Sequence, residues 1–283
     1  KLYYLDVDEN FEKCNVSIEQ WHKRYGHLNY AALKRMSTND IVQGLPSVLK
    51  GEEPICEPYL SGKACKTSFS VSETRSKSPF ELVHSDVCGK IDEKSLGGGQ
   101  YYVTFIDDYS RYTWVYIISS KDQVFSKFKE WKVLVENQFD TKVKVLRSDN
   151  GGEYTSKEFQ CFWKEHCIRH EKTIPITPEQ NGVSERMNRT LNNMVRTMCK
   201  ESRLPKCFWA EALSTAVYLR NRCPSVAIGN VTPFEMLMGK KPNVSNLKVF
   251  GCEAFVHIPK DERKKLDFKV ARCVFLGYGD CTK

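Results

Sequence analysis

The sequence predicts an α/β protein: a mixed five-stranded sheet with helices on both faces, preceded by a small helical unit carrying a His/Cys set. Three observations predict it. Between residues 80 and 118 three β-rich runs follow one another through turns, which reads as an antiparallel meander. From 124 to 200 helical and strand-like periods alternate, which adds further strands to the same sheet through helical crossovers. Ahead of both stand His22, His27 and Cys56, residue types that small helical units use to hold a metal in place of a core.

The first unit occupies residues 1–75. Trp21 to Asn29 leads into the helical Tyr30–Met36 run, and Gly44-Leu45-Pro46 closes it. His22 and His27 lie five apart, and Cys56 follows after 28 residues, which gives three quarters of a mixed His/Cys zinc site. A fourth ligand three places after Cys56 is missing, because Tyr59 stands there. Cys65 is the nearest other thiol that could substitute. Ser, Thr, Lys and Arg dominate residues 67–79, which reads as a linker.

A second unit, 76–225, holds the sheet. Phe80–Cys88, Tyr101–Ile106 and Tyr112–Ile118 are the first three strands, with a turn at Gly97-Gly98-Gly99 and a hairpin through Asp107-Asp108-Tyr109-Ser110. Val124, Phe128, Trp131 and Val135 form a helical stripe. Val143–Leu146 is a short strand ending in Arg147-Ser148-Asp149, Phe159 to His166 a helix, and Ile168–Ile174 the last strand. Prolines and Asn181-Gly182 then make an irregular loop. Beyond it Val183, Met187, Leu191, Met194 and Met198 form one apolar stripe, with Glu185, Arg189, Asn192 and Arg196 on the opposite face. Glu185 and Arg189 also suit an ordinary i, i+4 ion pair, worth about 0.2–0.5 kcal/mol. Phe208 to Val217 reads as another amphipathic helix. The remainder, 226–283, is short-period and broken by Gly and Pro; from Lys260 to Arg272 six basic residues face three acids, a phosphate-contacting candidate.

Composition narrows the function. A net charge of +8 and a pI near 8.8 favour a polyanionic partner. The mean hydropathy of -0.49 suits a soluble protein, and no apolar run approaches the roughly 18 residues of a membrane span. None of the 12 cysteines stands at Cys-x-x-Cys spacing, so they read as reduced thiols of an intracellular protein. The abrupt ends, Lys1-Leu2-Tyr3-Tyr4 and Thr282-Lys283, read as those of a segment from a longer chain.

Three acids fall at the ends of sheet elements: Asp86 in the first strand, Asp149 after the fourth, and Glu185 on the late helix. Carboxylates gathered in this way repel one another and call for hard divalent cations, Mg2+ or Mn2+. Two such ions support in-line phosphodiester displacement by a hydroxyl. Asp107 and Asp108 are a rival pair that turn chemistry explains.

Exactly 35 residues separate Asp149 from Glu185, and the flanking strings are long: His84-Ser85-Asp86-Val87-Cys88-Gly89, Ser148-Asp149-Asn150-Gly151-Gly152-Glu153-Tyr154 and Thr177-Pro178-Glu179-Gln180-Asn181-Gly182-Val183-Ser184-Glu185-Arg186. These strings closely resemble the integrases of copia-type LTR retrotransposons. Phe105-Ile106-Asp107-Asp108-Tyr109-Ser110-Arg111, Tyr218-Leu219-Arg220-Asn221-Arg222 and Val274-Phe275-Leu276-Gly277-Tyr278 extend the likeness over nearly the whole chain. The resemblance implies a ribonuclease-H-like fold in which Asp86, Asp149 and Glu185 hold the catalytic metals. It implies that Gln180 and Asn181 approach the DNA end, and that Arg189, Asn192 and Arg196 grip phosphates. The implied reaction is insertion of element DNA into target DNA by 3′-processing and strand transfer, carried out by a homo-oligomer released from a Pol polyprotein, first in a cytoplasmic particle and then in the nucleus. The family places Cys where Tyr59 stands, so the zinc unit here is expected to be weakened. That lesion also fits a second reading, a decayed copy that binds nucleic acid without catalysis. A true ribonuclease H would need its glutamate on the first core helix, where Glu130 and Glu136 stand.

Overall fold

Five strands form one mixed sheet in the order β3-β2-β1-β4-β5 in the computed structural model, which describes residues 17–47, 49, 51–59, 75–149, 151–172, 182–265 and 268–279. Strand β1 (Leu82–Cys88) runs antiparallel to β2 (Tyr101–Asp107), and β2 antiparallel to β3 (Thr113–Ile118). On its other side β1 pairs in parallel with β4 (Val145–Ser148), which pairs in parallel with β5 (Arg169–Lys172). This is the ribonuclease-H-like arrangement, with helices on both faces as the sequence predicts. The expected fourth strand begins two residues late. Pairing starts where Leu82 meets Val145, while the Val143 amide donates to Glu136 Oε1 at 3.1 Å instead of joining the ladder.

Alternation along the strands sends odd positions to one face and even positions to the other. Val83, Val103 and Phe105 face α3 (Val124–Phe139) and α4 (Lys157–Glu165), where Val124, Phe128, Trp131, Val135, Phe159 and Trp163 complete a closed aromatic cluster. Phe105 stacks on Trp131 with ring centroids 4.7 Å apart. The other face meets α5 (Gly182–Ser202) and α6 (Trp209–Arg220): Tyr102 and Ile106 pack with Met187, Leu191, Met198, Trp209 and Leu213.

The N-terminal helices, α1 (Ile18–Arg24) and α2 (Tyr30–Thr38), join that second cluster. Ser17 and Gln20 form a capping box at the start of α1, and Asn29 caps α2 by accepting from the Ala32 amide at 2.7 Å. Ile18, Trp21, Tyr25, Leu33 and Met36 are buried against the residues of α5 and α6. Gly26, at φ +58°, lets the α1–α2 turn press on Met194 and Leu219. Polar ties follow the same seam, from Thr197 Oγ1 to the Pro58 carbonyl and from Lys200 to Glu57.

Asp107 and Asp108 do more than shape a turn. Asp107 is fully buried and accepts from the Phe80 amide, the Ser110 amide and the Ser110 hydroxyl. Asp108 accepts from His84 Nε2 at 3.0 Å and from the Ser76 amide at 2.8 Å, and pairs with Arg111. The pair therefore braces the entry of β1 against the β2–β3 hairpin.

The post-core segment folds into α7 (Pro233–Met238) and an antiparallel hairpin of β6 (Glu253–His257) and β7 (Val270–Val274). Phe275 is buried beyond it, and Tyr278 stacks on Tyr218 of α6 at 4.0 Å. No helix among the described residues is long and apolar enough to cross a membrane. All nine described cysteines are free thiols.

Candidate active site

Parallel pairing places the first two acids. Leu82, Val83 and His84 are partners of Val145, Leu146 and Arg147, so continuing the register sets Asp86 opposite Asp149. Asp86 points to the α5 face with the other even residues of β1; Asp149 stands just past the end of β4. Its Oδ1 accepts from the Gly151 amide at 3.1 Å, a local turn that steadies it. Glu185 lies in the first turn of α5 and is exposed, with Asp86 and Asp149 half-buried.

Asp86 feels the other two acids. The Asp86 carboxyl is pushed up to about 6, first by burial and then by the charge of Asp149, with a smaller push from Glu185 and an opposing hydrogen bond from Asn188. No Lys or Arg forms an ion pair with any of the three among the described residues. Their oxygens do not all lie within 4.8 Å of one another; His22, His27 and Cys56 form the one such group found among those residues. Mutual repulsion without a cation partner, on hard oxygen donors, fits divalent Mg2+ or Mn2+.

Helix α5 is placed by residues that the sequence reading passed over. Asn188 Nδ2 donates to Asp86 Oδ2 at 2.8 Å, and Asn188 Oδ1 lies 3.3 Å from the Thr104 hydroxyl. A signal existed: Asn188 is three residues past Glu185 and so adjoins it on the helix. Asn192 differs from the sequence expectation. Its side chain is turned to the sheet, accepting from Tyr102 at 3.1 Å and donating to Cys88 Sγ at 3.4 Å, because the helix face toward β1 and β2 is polar. Arg189 and Arg196 are exposed. Gln180 and Asn181 lie outside the described residues, as do Asn150 and Cys65.

The His/Cys set converges. His22 Nε2 and His27 Nδ1 are 3.2 Å apart, and Cys56 Sγ is 3.2 Å from His27 Nδ1. His22 Nδ1 donates to the Leu28 carbonyl at 2.6 Å, which fixes the tautomer and leaves the Nε2 lone pair toward its neighbours. Burial lowers both imidazoles, His27 to about 4, so both are neutral at pH 7, the form that binds a metal. The Tyr59 ring stands edge-on to His22, 5.6 Å between centroids. Three ligands of this kind fit zinc and leave the fourth position without a thiolate among the described residues.

Three family models match the chain. Residues 76–178 match the integrase core domain, 1–64 the GAG-pre-integrase domain, and 252–283 the retroviral polymerase SH3-like domain. The last identifies the hairpin region that the sequence reading took only as a basic segment. The retrovirus-related Pol polyprotein from transposon TNT 1-94 of Nicotiana tabacum is 48% identical over 273 residues, 96% of this chain and 20% of that protein. That from transposon RE2 of Arabidopsis thaliana is 38% identical over 259 residues, 91% of this chain and 17% of that protein. The chain thus spans about a fifth of the length of these relatives. Among solved structures, the HTLV-2 integrase catalytic core domain in complex with magnesium aligns at a TM-score of 0.44 with 20% identity, covering 58% of this chain and 99% of that one. The simian T-cell lymphotropic virus intasome in complex with PP2A regulatory subunit B56 gamma aligns at 0.48 with 18% identity, covering 71% and 69%.

Proposed function

This chain belongs to the integrase region of copia-type retrotransposon Pol polyproteins, and from that premise we propose that it inserts element DNA into target DNA by metal-dependent 3′-processing and strand transfer. The observation that carries the reading is the parallel β1–β4 pairing, which runs toward Asp86 on β1 and Asp149 just past β4, with the charges of Asp149 and, less, Glu185 acting on the Asp86 carboxyl.

Asp86, Asp149 and Glu185 would hold two Mg2+ or Mn2+ ions. When bound, such ions supply the Lewis acidity that activates a hydroxyl nucleophile and stabilises a leaving oxygen. The protein's own share is positioning. Asp86 is held by Asn188 from one side, and the exposed Arg189 and Arg196 continue from Glu185 along α5, where guanidinium groups bind phosphates without reading sequence. The Gln180–Asn181 segment leads directly into that helix and is proposed to meet the DNA end. DNA ends, target DNA and further copies of this chain are the proposed partners, first in a cytoplasmic particle and then in the nucleus. In the N-terminal unit His22, His27 and Cys56 would hold zinc.

Tyr59 favours a second reading, a copy that binds nucleic acid without joining it. A strand-transfer assay separates the two. The integrase reading expects joined products from a short duplex with Mg2+ and none with EDTA; a protein that shifts the duplex yet joins nothing in Mg2+ or Mn2+ is the idle copy.

A further inference from the structure

We propose that Asn188 and Asn192, acting through Thr104 and Tyr102, are positioning residues that lock α5 against β1 and β2 in the one placement that brings Glu185 to Asp86. This rests on reading the carboxylates as metal ligands.

The two asparagines repeat one motif. Thr104 and Asp86 are direct partners across the β1–β2 ladder, and so are Tyr102 and Cys88. Asn188 bridges the first pair: Oδ1 accepts from the Thr104 hydroxyl at 3.3 Å and Nδ2 donates to Asp86 Oδ2 at 2.8 Å. Asn192 bridges the second in the same sense, with Oδ1 accepting from Tyr102 at 3.1 Å and Nδ2 donating to Cys88 Sγ at 3.4 Å. Each asparagine thus accepts a hydrogen bond from a β2 hydroxyl and donates one to a β1 acceptor.

The spacing is commensurate. Four residues of helix rise about 6 Å, and two residues of antiparallel strand span about 6.8 Å. Two rungs therefore fit where a third would drift out of step. Two rungs pin the polar side of the helix at two points, beside the apolar packing of Met187, Leu191 and Met198.

The Asp86 carboxylate sets the orientation of the Asn188 amide. An ionised carboxylate only accepts, so the NH2 group must face it and Oδ1 turns to Thr104. The Thr104 hydroxyl also lies 3.4 Å from the Asp86 carbonyl. A flipped amide would set oxygen against carboxylate oxygen. Thr104 is fully buried and Asn188 is 5% exposed, so losing one of them leaves the other a buried polar group short of a partner. An amide suits the place better than Lys. It occupies Oδ2 of Asp86 without neutralising the carboxylate. Glu185, three residues before Asn188, is carried on the same turn.

The test is Mn2+ binding to the full chain without DNA, read by electron paramagnetic resonance, together with thermal unfolding. Thr104→Val keeps shape and β-branching and removes the hydroxyl, and Asn188→Leu removes the bridge. Both are expected to weaken Mn2+ binding about tenfold or more, the scale of losses when a ligand's hydrogen-bond partner is removed. Thr104→Ser should restore wild-type affinity. Ile106→Ala, on the same sheet face, should lower the unfolding temperature and leave Mn2+ affinity unchanged. Wild-type affinity in both Thr104→Val and Asn188→Leu, with binding abolished by Asp86→Ala, overturns the positioning role alone. Wild-type protein that binds no Mn2+ overturns the metal reading and this inference with it.

Discussion

Asp86 lies on β1 and Asp149 just past the end of β4, the parallel neighbour of β1, and the charge of Asp149 acts on the Asp86 carboxyl. Burial and the Asp149 charge raise Asp86 to about 6. The raised carboxyl marks electrostatic strain that a bound cation would relieve.

The strain has a direction in pH. A carboxyl whose folded pKa lies above its unfolded value destabilises the fold only when ionised. The loss is absent below about pH 4, grows as pH rises toward 6, and is complete above it. Asp86→Asn should therefore stabilise the metal-free protein at pH 7.5 by on the order of 1–3 kcal/mol, and leave it unchanged near pH 3.5. Urea unfolding at the two pH values measures this, and a destabilised variant at pH 7.5 would contradict it.

Zinc removal should act on the N-terminal unit. The full chain is expected to take up zinc through His22, His27 and Cys56 and to lose much of it on dialysis against a chelator. Cys56→Ser should abolish uptake, and Cys65→Ser should leave it unchanged. Both histidines are depressed by burial, so the metal-free unit keeps their contribution above pH 6.5 and loses it as pH falls toward 4. A tight one-to-one complex that disappears with Cys65→Ser would make Cys65 the fourth ligand.

Much of this was legible in the sequence, for reasons that differ by element. Strands β1 to β3 announce themselves because Phe80–Cys88, Tyr101–Ile106 and Tyr112–Ile118 are rich in aromatic and β-branched residues and bounded by turns. Helix α3 does so through Val124, Phe128, Trp131 and Val135. The acid spacing and its flanking strings pointed to the family before any coordinates did. Long-range packing was hidden. Nothing local says that Trp21 and Tyr25 are buried against α5 and α6, or that Asp108 meets His84. The wheel of α5 misplaced Asn192 because it assumed that a helix packs only its apolar stripe, whereas this one also packs Ser184 and Asn188. The β6–β7 hairpin escaped because its strands leave Phe255 and Val274 exposed and so lack clean alternation.

Arg189 is exposed on α5 one turn beyond Glu185. Arg189→Ala should weaken binding to every duplex alike and lower the slope of log affinity against log salt by about one. Fluorescence anisotropy across a salt series reads both. An unchanged slope would mean that Arg189 makes no phosphate contact.

The central claim is that Asp86, Asp149 and Glu185 act together on DNA, and Glu185→Gln tests it most directly. The substitution keeps size and helix propensity and removes one charge from an exposed position. Joining of a labelled duplex end to target DNA should fall to background in Mg2+, while binding of the same duplex persists. Joining near the wild-type rate would place the chemistry elsewhere in the chain.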